Sequence, residues 1–108
     1  MENFADRLVA AMERKASCVC VGLDPRIDRL PDDFKARAAD SREEAAFALE
    51  AFNRGILDAV ADLAVAVKPQ VAFYEALGWE GMRAFERTVS DAHERGLLVI
   101  ADMKRGDI

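Results

Sequence analysis

Leu97-Leu98-Val99-Ile100-Ala101 is an unbroken apolar run that ends abruptly in Asp102-Met103-Lys104-Arg105-Gly106-Asp107. A short apolar run with turn signals at its ends suits a strand buried on both faces. Two earlier stretches repeat the pattern. Cys18-Val19-Cys20-Val21-Gly22-Leu23 leads into Asp24-Pro25-Arg26, and Leu63-Ala64-Val65-Ala66-Val67 leads into Lys68-Pro69-Gln70. Helical patterns separate the runs. Ser41 and Glu44 form an S-x-x-E capping box, and the helix it starts reaches about Asp62, with Leu49, Phe52, Ile56, Val60 and Leu63 on one stripe. Met82, Phe85, Val89 and Ala92 mark another helix, about Trp79 to Arg95, stopped by Gly96. Asn3 is placed to cap a first helix carrying Phe4, Leu8, Ala11 and Met12, whereas Pro25 and Pro31 predict a loop that includes Asp32-Asp33. Alternating strands and helices predict an α/β fold with a parallel sheet and right-handed crossovers.

The composition agrees with a folded chain. Of 108 residues, 52% are hydrophobic and 32% charged, with a formal charge of −5, which argues against disorder. No apolar run approaches the roughly 18–20 residues that cross a bilayer. Met1–Arg14 mixes acidic residues with apolar ones and does not read as a secretory signal. The net negative charge speaks against a nucleic-acid partner. Two cysteines in one apolar run make no disulfide framework. A cytoplasmic protein is the expectation.

All three apolar runs meet charge at their carboxyl ends: Asp24, then Lys68, then Asp102 and Lys104. Loops at that end of a parallel sheet project freely while the strands fix their origins, so sites of α/β proteins gather there. Polar residues also end strands for no functional reason, but three successive cases weaken that explanation. Asp102 and Lys104 share a face if the strand persists that far.

Other features read as structural. Cys18 and Cys20 lack the companions a zinc site needs and are expected to pack in the core. His93 is expected at the surface, and Phe73, Tyr74 and Trp79 beneath the second strand. Glu43-Glu44 complements a helix dipole. Neither a GxGxxG nor a Walker-type phosphate cradle occurs.

Three segments closely resemble orotidine 5′-phosphate decarboxylase. They are Val21-Gly22-Leu23-Asp24-Pro25-Arg26, Val67-Lys68-Pro69-Gln70 with Ala72-Phe73-Tyr74-Glu75, and Ala101-Asp102-Met103-Lys104-Arg105-Gly106-Asp107-Ile108. The Lys68-Pro69-Gln70 form and the Lys-Arg-Gly-Asp-Ile ending are similar to the bacterial branch with longer chains. The resemblance implies a (β/α)8 TIM barrel, acting as a homodimer on a nucleotide substrate without metal or organic cofactor. It implies Lys104, Asp102, Lys68 and Asp107 as the catalytic array, with Asp107 reaching the partner subunit's site. Asp24, Lys68, Asp107 and Ile108 are implied as substrate-binding. Lys104 would face the carbon that loses carbon dioxide, Asp102 would lie beside the substrate carboxylate, and Lys68 would orient the array and contact the ribose.

Two other readings stand beside this one. Magnesium-dependent sugar-phosphate decarboxylases and aldolases of the same superfamily share D-x-K-x-x-D, but carry an acidic residue where this chain has Lys68, whose ammonium would repel the metal. Alternatively, the chain is a catalytically silent half-barrel fragment. An eight-stranded barrel takes roughly 250 residues, so residues 1–108 are expected to be the N-terminal part of a single barrel domain, stopping after the third strand motif.

Overall fold

A computed structural model describes residues 2–107. Helix α1 (Phe4–Lys15) precedes strand β1 (Cys20–Leu23), and a 3-10 turn (Ile27–Arg29) leads to α2 (Asp32–Ala38) and α3 (Arg42–Val60). Strand β2 (Ala66–Pro69), α4 (Val71–Glu75), α5 (Gly78–Glu94) and β3 (Leu98–Val99) complete the order. The three strands are parallel in the order β1-β2-β3, as the alternation of strands and helices predicts.

The capping residues act as their types require. Asn3 Oδ1 accepts from the Asp6 amide at 2.9 Å, and Ser41 Oγ from the Glu44 amide at 3.0 Å. Gly96 follows α5 at φ 73°, a conformation that disfavours side chains.

Hydrogen bonding explains why β3 is short. Leu98, Ile100 and Asp102 donate in turn to the carbonyls of Val65, Val67 and Pro69, at 3.0, 2.9 and 3.0 Å. In a parallel ladder the returning rungs come from alternate amides of β2, and the one opposite the Ile100 carbonyl belongs to Pro69. Proline has no N–H, so that rung is missing. Pairing resumes at Gln70 and Asp102, where the Val71 amide donates to the Asp102 carbonyl at 2.9 Å.

Helices α3 and α5 cover the sheet, burying Leu23 and Val67 against Leu57, Ala92 and Leu97. They run parallel, and ion pairs follow their length: Glu43–Arg83 at 4.0 Å, Glu50–Arg87 at 3.6 Å, Arg54–Asp91 at 3.4 Å and Asp58–Arg95 at 2.6 Å. At the opposite end from the charged loops, α1 packs Ala11 on Val65 and Ala66. Lys15 Nζ donates there to the carbonyls of Ala61 and Ala64, at 2.8 and 2.9 Å.

Several sequence expectations are corrected. Cys18 and Cys20 are exposed thiols, not core residues, and only Leu23 of β1 is buried. An apolar run signals burial when neighbours lie on both sides; among the described residues β1 pairs only with β2. Residues 32–38 form a helix rather than a loop, because Pro31 stands just outside its first turn, where a missing N–H costs nothing. Asp32 and Asp33 face that helix's dipole. Strand β2 begins later than expected, and Leu63 is 65% exposed. Trp79 is 67% exposed, stacked on the Arg83 guanidinium at 5.1 Å, instead of lying under β2. Tyr74 is fully buried and His93 is exposed, as expected.

Gly81 is the tightest point of the helical layer. A Cβ there would stand 1.8 Å from the Tyr74 carbonyl oxygen and 2.8 Å from the Leu77 Cβ. Gly81→Ala must push α5 away from α4, and a loss of about 1–3 kcal/mol is expected from overpacking. The check is the midpoint of urea denaturation, which should fall markedly; an unchanged midpoint would show that the contact relaxes freely.

Candidate active site

The strand register brings three of the sequence-nominated residues together. Lys68 lies within β2, opposite Gly22 of β1. Asp102 lies just past β3, its backbone held on both sides by the rungs from Pro69 and Val71. Lys68 Nζ and Lys104 Nζ both donate to Oδ2 of Asp102, the former at 3.4 Å. The Lys104 amide donates to the other carboxylate oxygen at 3.2 Å. Two ammonium groups on one carboxylate leave this cluster with a net positive charge. The side chain of Asp102 is 12% exposed, against 42% and 64% for Lys68 and Lys104. The carboxylate is therefore the enclosed centre, and the ammoniums stand toward solvent.

Ion pairs this exposed contribute little to stability. The pattern is better explained by what it presents to a ligand: a fixed cationic surface anchored by rigid backbone. The Lys104 side-chain hydrogen bond, then that from its amide, hold the Asp102 carboxyl below the usual carboxylate range, with Lys68 adding to the effect.

The remaining nominated residues sit differently. Asp24 follows β1, and its Oδ2 lies 3.8 Å from where a Cβ on Gly22 would stand. Paired residues of parallel strands point to one face, so Gly22 and, two residues on, Asp24 belong to the face carrying Lys68, and a Cβ at Gly22 would make only ordinary contact with that carboxylate. Asp107 is exposed and makes no hydrogen bond or ion pair among the described residues; it is not brought to the cluster. Gly106 just before it has φ 78°, which turns the chain sharply. Ile108 lies outside the described residues.

The cluster occupies open strand ends, not a cavity. A recess of about 410 Å³ lies nearby between Pro25, Ile27, Phe73 and Leu77, but neither lysine of the cluster lines it. The recess is a largely apolar gap beside α4. Among the described residues no group of three or more His, Cys, Asp or Glu is placed to hold a metal ion, and no helix is long and apolar enough to cross a membrane.

Fold and site together define a class: parallel α/β proteins that gather charged groups at the carboxyl ends of their strands. The comparisons narrow it. The model of the orotidine 5′-phosphate decarboxylase / HUMPS family matches residues 17–108, and the chain belongs to that family. Orotidine 5′-phosphate decarboxylase of Clostridium perfringens (strain SM101 / Type A) is 43% identical over 105 residues, which are 97% of this chain and 35% of that protein. The Rhodopirellula baltica protein of the same name is 45% identical over 109 residues, covering all of this chain and 36% of its own length. A crystal structure of a Streptomyces avermitilis protein assigned to that activity superposes with a TM-score of 0.74 at 36% identity, over 100% of this chain and 35% of that one. The Leishmania donovani UMP synthase structure gives 0.72 at 30% identity, over 100% and 20%. The chain thus spans about a third of the length of the curated relatives it matches. Its fold class is the (β/α)8 barrel, of which it carries three strand units.

Because its folded-state value is depressed, the Asp102 carboxyl contributes fully above the unfolded value of about 3.9. That contribution is lost only as pH falls through the lower, folded value. A carboxyl-carbon NMR titration should place Asp102 below about 3.9, and Lys104→Ala should bring it back toward that value. A midpoint indifferent to Lys104 would show that the hydrogen bond does not hold the carboxylate.

Proposed function

We propose that the protein carrying this chain converts orotidine 5′-monophosphate to uridine 5′-monophosphate and carbon dioxide, without a cofactor, in pyrimidine biosynthesis. The observation that carries this reading is the convergence of Lys68 and Lys104 on one oxygen of Asp102 at the strand ends. Residues 1–108 supply the first three β/α units of one barrel domain in this reading.

The chemistry calls for such a cluster. Breaking the bond between the ring carbon and the carboxylate leaves the electron pair on that carbon, where no adjacent carbonyl delocalises it. A positive charge fixed before the reaction lowers the energy of the developing carbanion. Lys104 supplies that charge and then delivers a proton to the carbon, so the carboxylate is replaced by hydrogen. Asp102 lies beside the departing carboxylate and holds Lys104 in place. Lys68 orients Asp102 and contacts the ribose, for which Asp24 is a second partner. Asp107 acts across a homodimer interface, in keeping with its lack of local partners among the described residues, and Ile108 completes the binding surface. A cytoplasmic location accords with a soluble metabolic role. Lys68 also argues against a magnesium-dependent reaction here, since an ammonium at that strand end repels a dication.

In the complete protein, Lys104→Ala is expected to reduce turnover on the order of 10⁴-fold, combining lost electrostatic stabilisation and lost proton transfer. The substrate's absorbance loss measures turnover, and circular dichroism checks that the fold persists. Near-normal rates would remove the proton-donor role. Turnover should survive a chelator unchanged. The isolated 108-residue chain should show negligible activity, because it spans only about a third of its relatives.

A further inference from the structure

A buried hydroxyl ties the second unit of the fold to the strand end that carries Asp24. Tyr74, in α4, is fully enclosed, and its hydroxyl donates to the Leu23 carbonyl at 3.0 Å. Leu23 is the last residue of β1 and the immediate neighbour of Asp24. The same hydroxyl accepts from Nδ2 of Asn53 at 2.9 Å, and that nitrogen also donates to Thr88 Oγ1 at 3.2 Å. Asn53 and Thr88 are each 1% exposed, so α3, α4 and α5 each send one polar group into this enclosed cluster. Phe85 packs edge-on against the Tyr74 ring, with centroids 5.1 Å apart.

Apolar side chains of similar shape could fill this space without such polar groups. Instead Asn53 keeps a buried Oδ1 that finds no partner among the described residues, which is itself a cost. The amide is there for its donors, which hold the tyrosine hydroxyl aimed at Leu23. Burial, with a smaller contribution from the charge of Asp24, sets the hydroxyl's ionisation well above the usual tyrosine range despite the opposing Asn53 bond, so it remains a neutral donor. On the far side of Asp24, buried Pro25 fixes the backbone. Asp24 is thus the exposed residue between two immobilised neighbours.

We propose that Tyr74, held by Asn53 and Thr88, is a positioning residue that fixes the Leu23 carbonyl and so aims the Asp24 carboxylate at its ligand. Only the identity of that ligand rests on the nucleotide reading above. Tyr74 touches neither substrate nor reacting atoms; it acts through the backbone of Leu23.

The test uses the complete protein and Tyr74→Phe, which keeps the ring and removes the hydroxyl. Losing one hydrogen bond should raise KM for orotidine 5′-monophosphate about tenfold, with kcat changing less than about twofold. The Kd for uridine 5′-monophosphate should rise by the same factor. In an Asp24→Ala background the further effect of Tyr74→Phe should shrink below about twofold, because the two residues act as one unit. Amide exchange at Asp24 and Arg26 should quicken about tenfold, with α1 unaffected. Thr88→Val should move each quantity the same way by less, which guards against a misfolded Tyr74→Phe. Unchanged KM and exchange would overturn the proposal, as would a loss that adds in full to that of Asp24→Ala. If the unsubstituted protein neither binds nor decarboxylates the nucleotide while exchange still responds, the functional reading fails and the positioning role stands.

Discussion

The backbone rungs between β2 and β3 are the constraint on which the charged cluster depends. Asp102 donates to Pro69 and accepts from Val71, so its side chain emerges beside Lys68 with little freedom of its own. Two side chains on separate strands can meet only if the register is right, and a slip of one residue would send one to the opposite face. Pro69 adds a second consequence. By withholding one N–H it leaves no rung at the Ile100 carbonyl and ends the regular ladder early, while Asp102 beyond the gap stays attached through Pro69 and Val71. Past Asp102 the chain folds Lys104 back onto the carboxylate it follows by two residues.

The helical layer protects this register. Helices α3 and α5 carry ion pairs in parallel order, from Glu43–Arg83 to Asp58–Arg95, so sliding one helix along the other would break several contacts together. Individually such pairs contribute little; Glu50, whose side chain is 9% exposed between Arg54 and Arg87, is the most enclosed of them. Gly81 lets α5 approach the Tyr74 carbonyl, and Tyr74 reaches β1 from the same turn. Close helix packing and placement of the Leu23 carbonyl are thus two results of one contact region. Lys15 secures the other end of the sheet, donating to carbonyls that precede β2.

Much of this was legible in the residues. The apolar runs, the Ser41–Glu44 capping box and Gly96 mark elements whose causes are local: side-chain alternation, an orphan amide needing a partner, a backbone turn that excludes a Cβ. The residues of the cluster were legible because charge follows each apolar run. What misled was everything set by neighbours. Cys18 and Cys20 look like core residues, yet both are exposed where only β2 pairs with β1 among the described residues. Trp79, in the first turn of α5, and Leu63, in the turn before β2, are apolar yet exposed. Pro31 and Asp32-Asp33 carry a loop signal that hides α2, because a proline at a helix N-terminus does not preclude the helix that follows it.

The sequence by itself determined the strand–helix order, the parallel sheet and the residue types at each strand end, because these follow from periodicity and from the chemistry of single residues. Only the tertiary structure decided that Lys68 and Lys104 share one oxygen of Asp102, that Asp107 stands apart from them, and that Tyr74 braces the strand bearing Asp24. Those facts depend on distances between residues far apart in the chain, and such distances are set by register and packing, which no local pattern encodes.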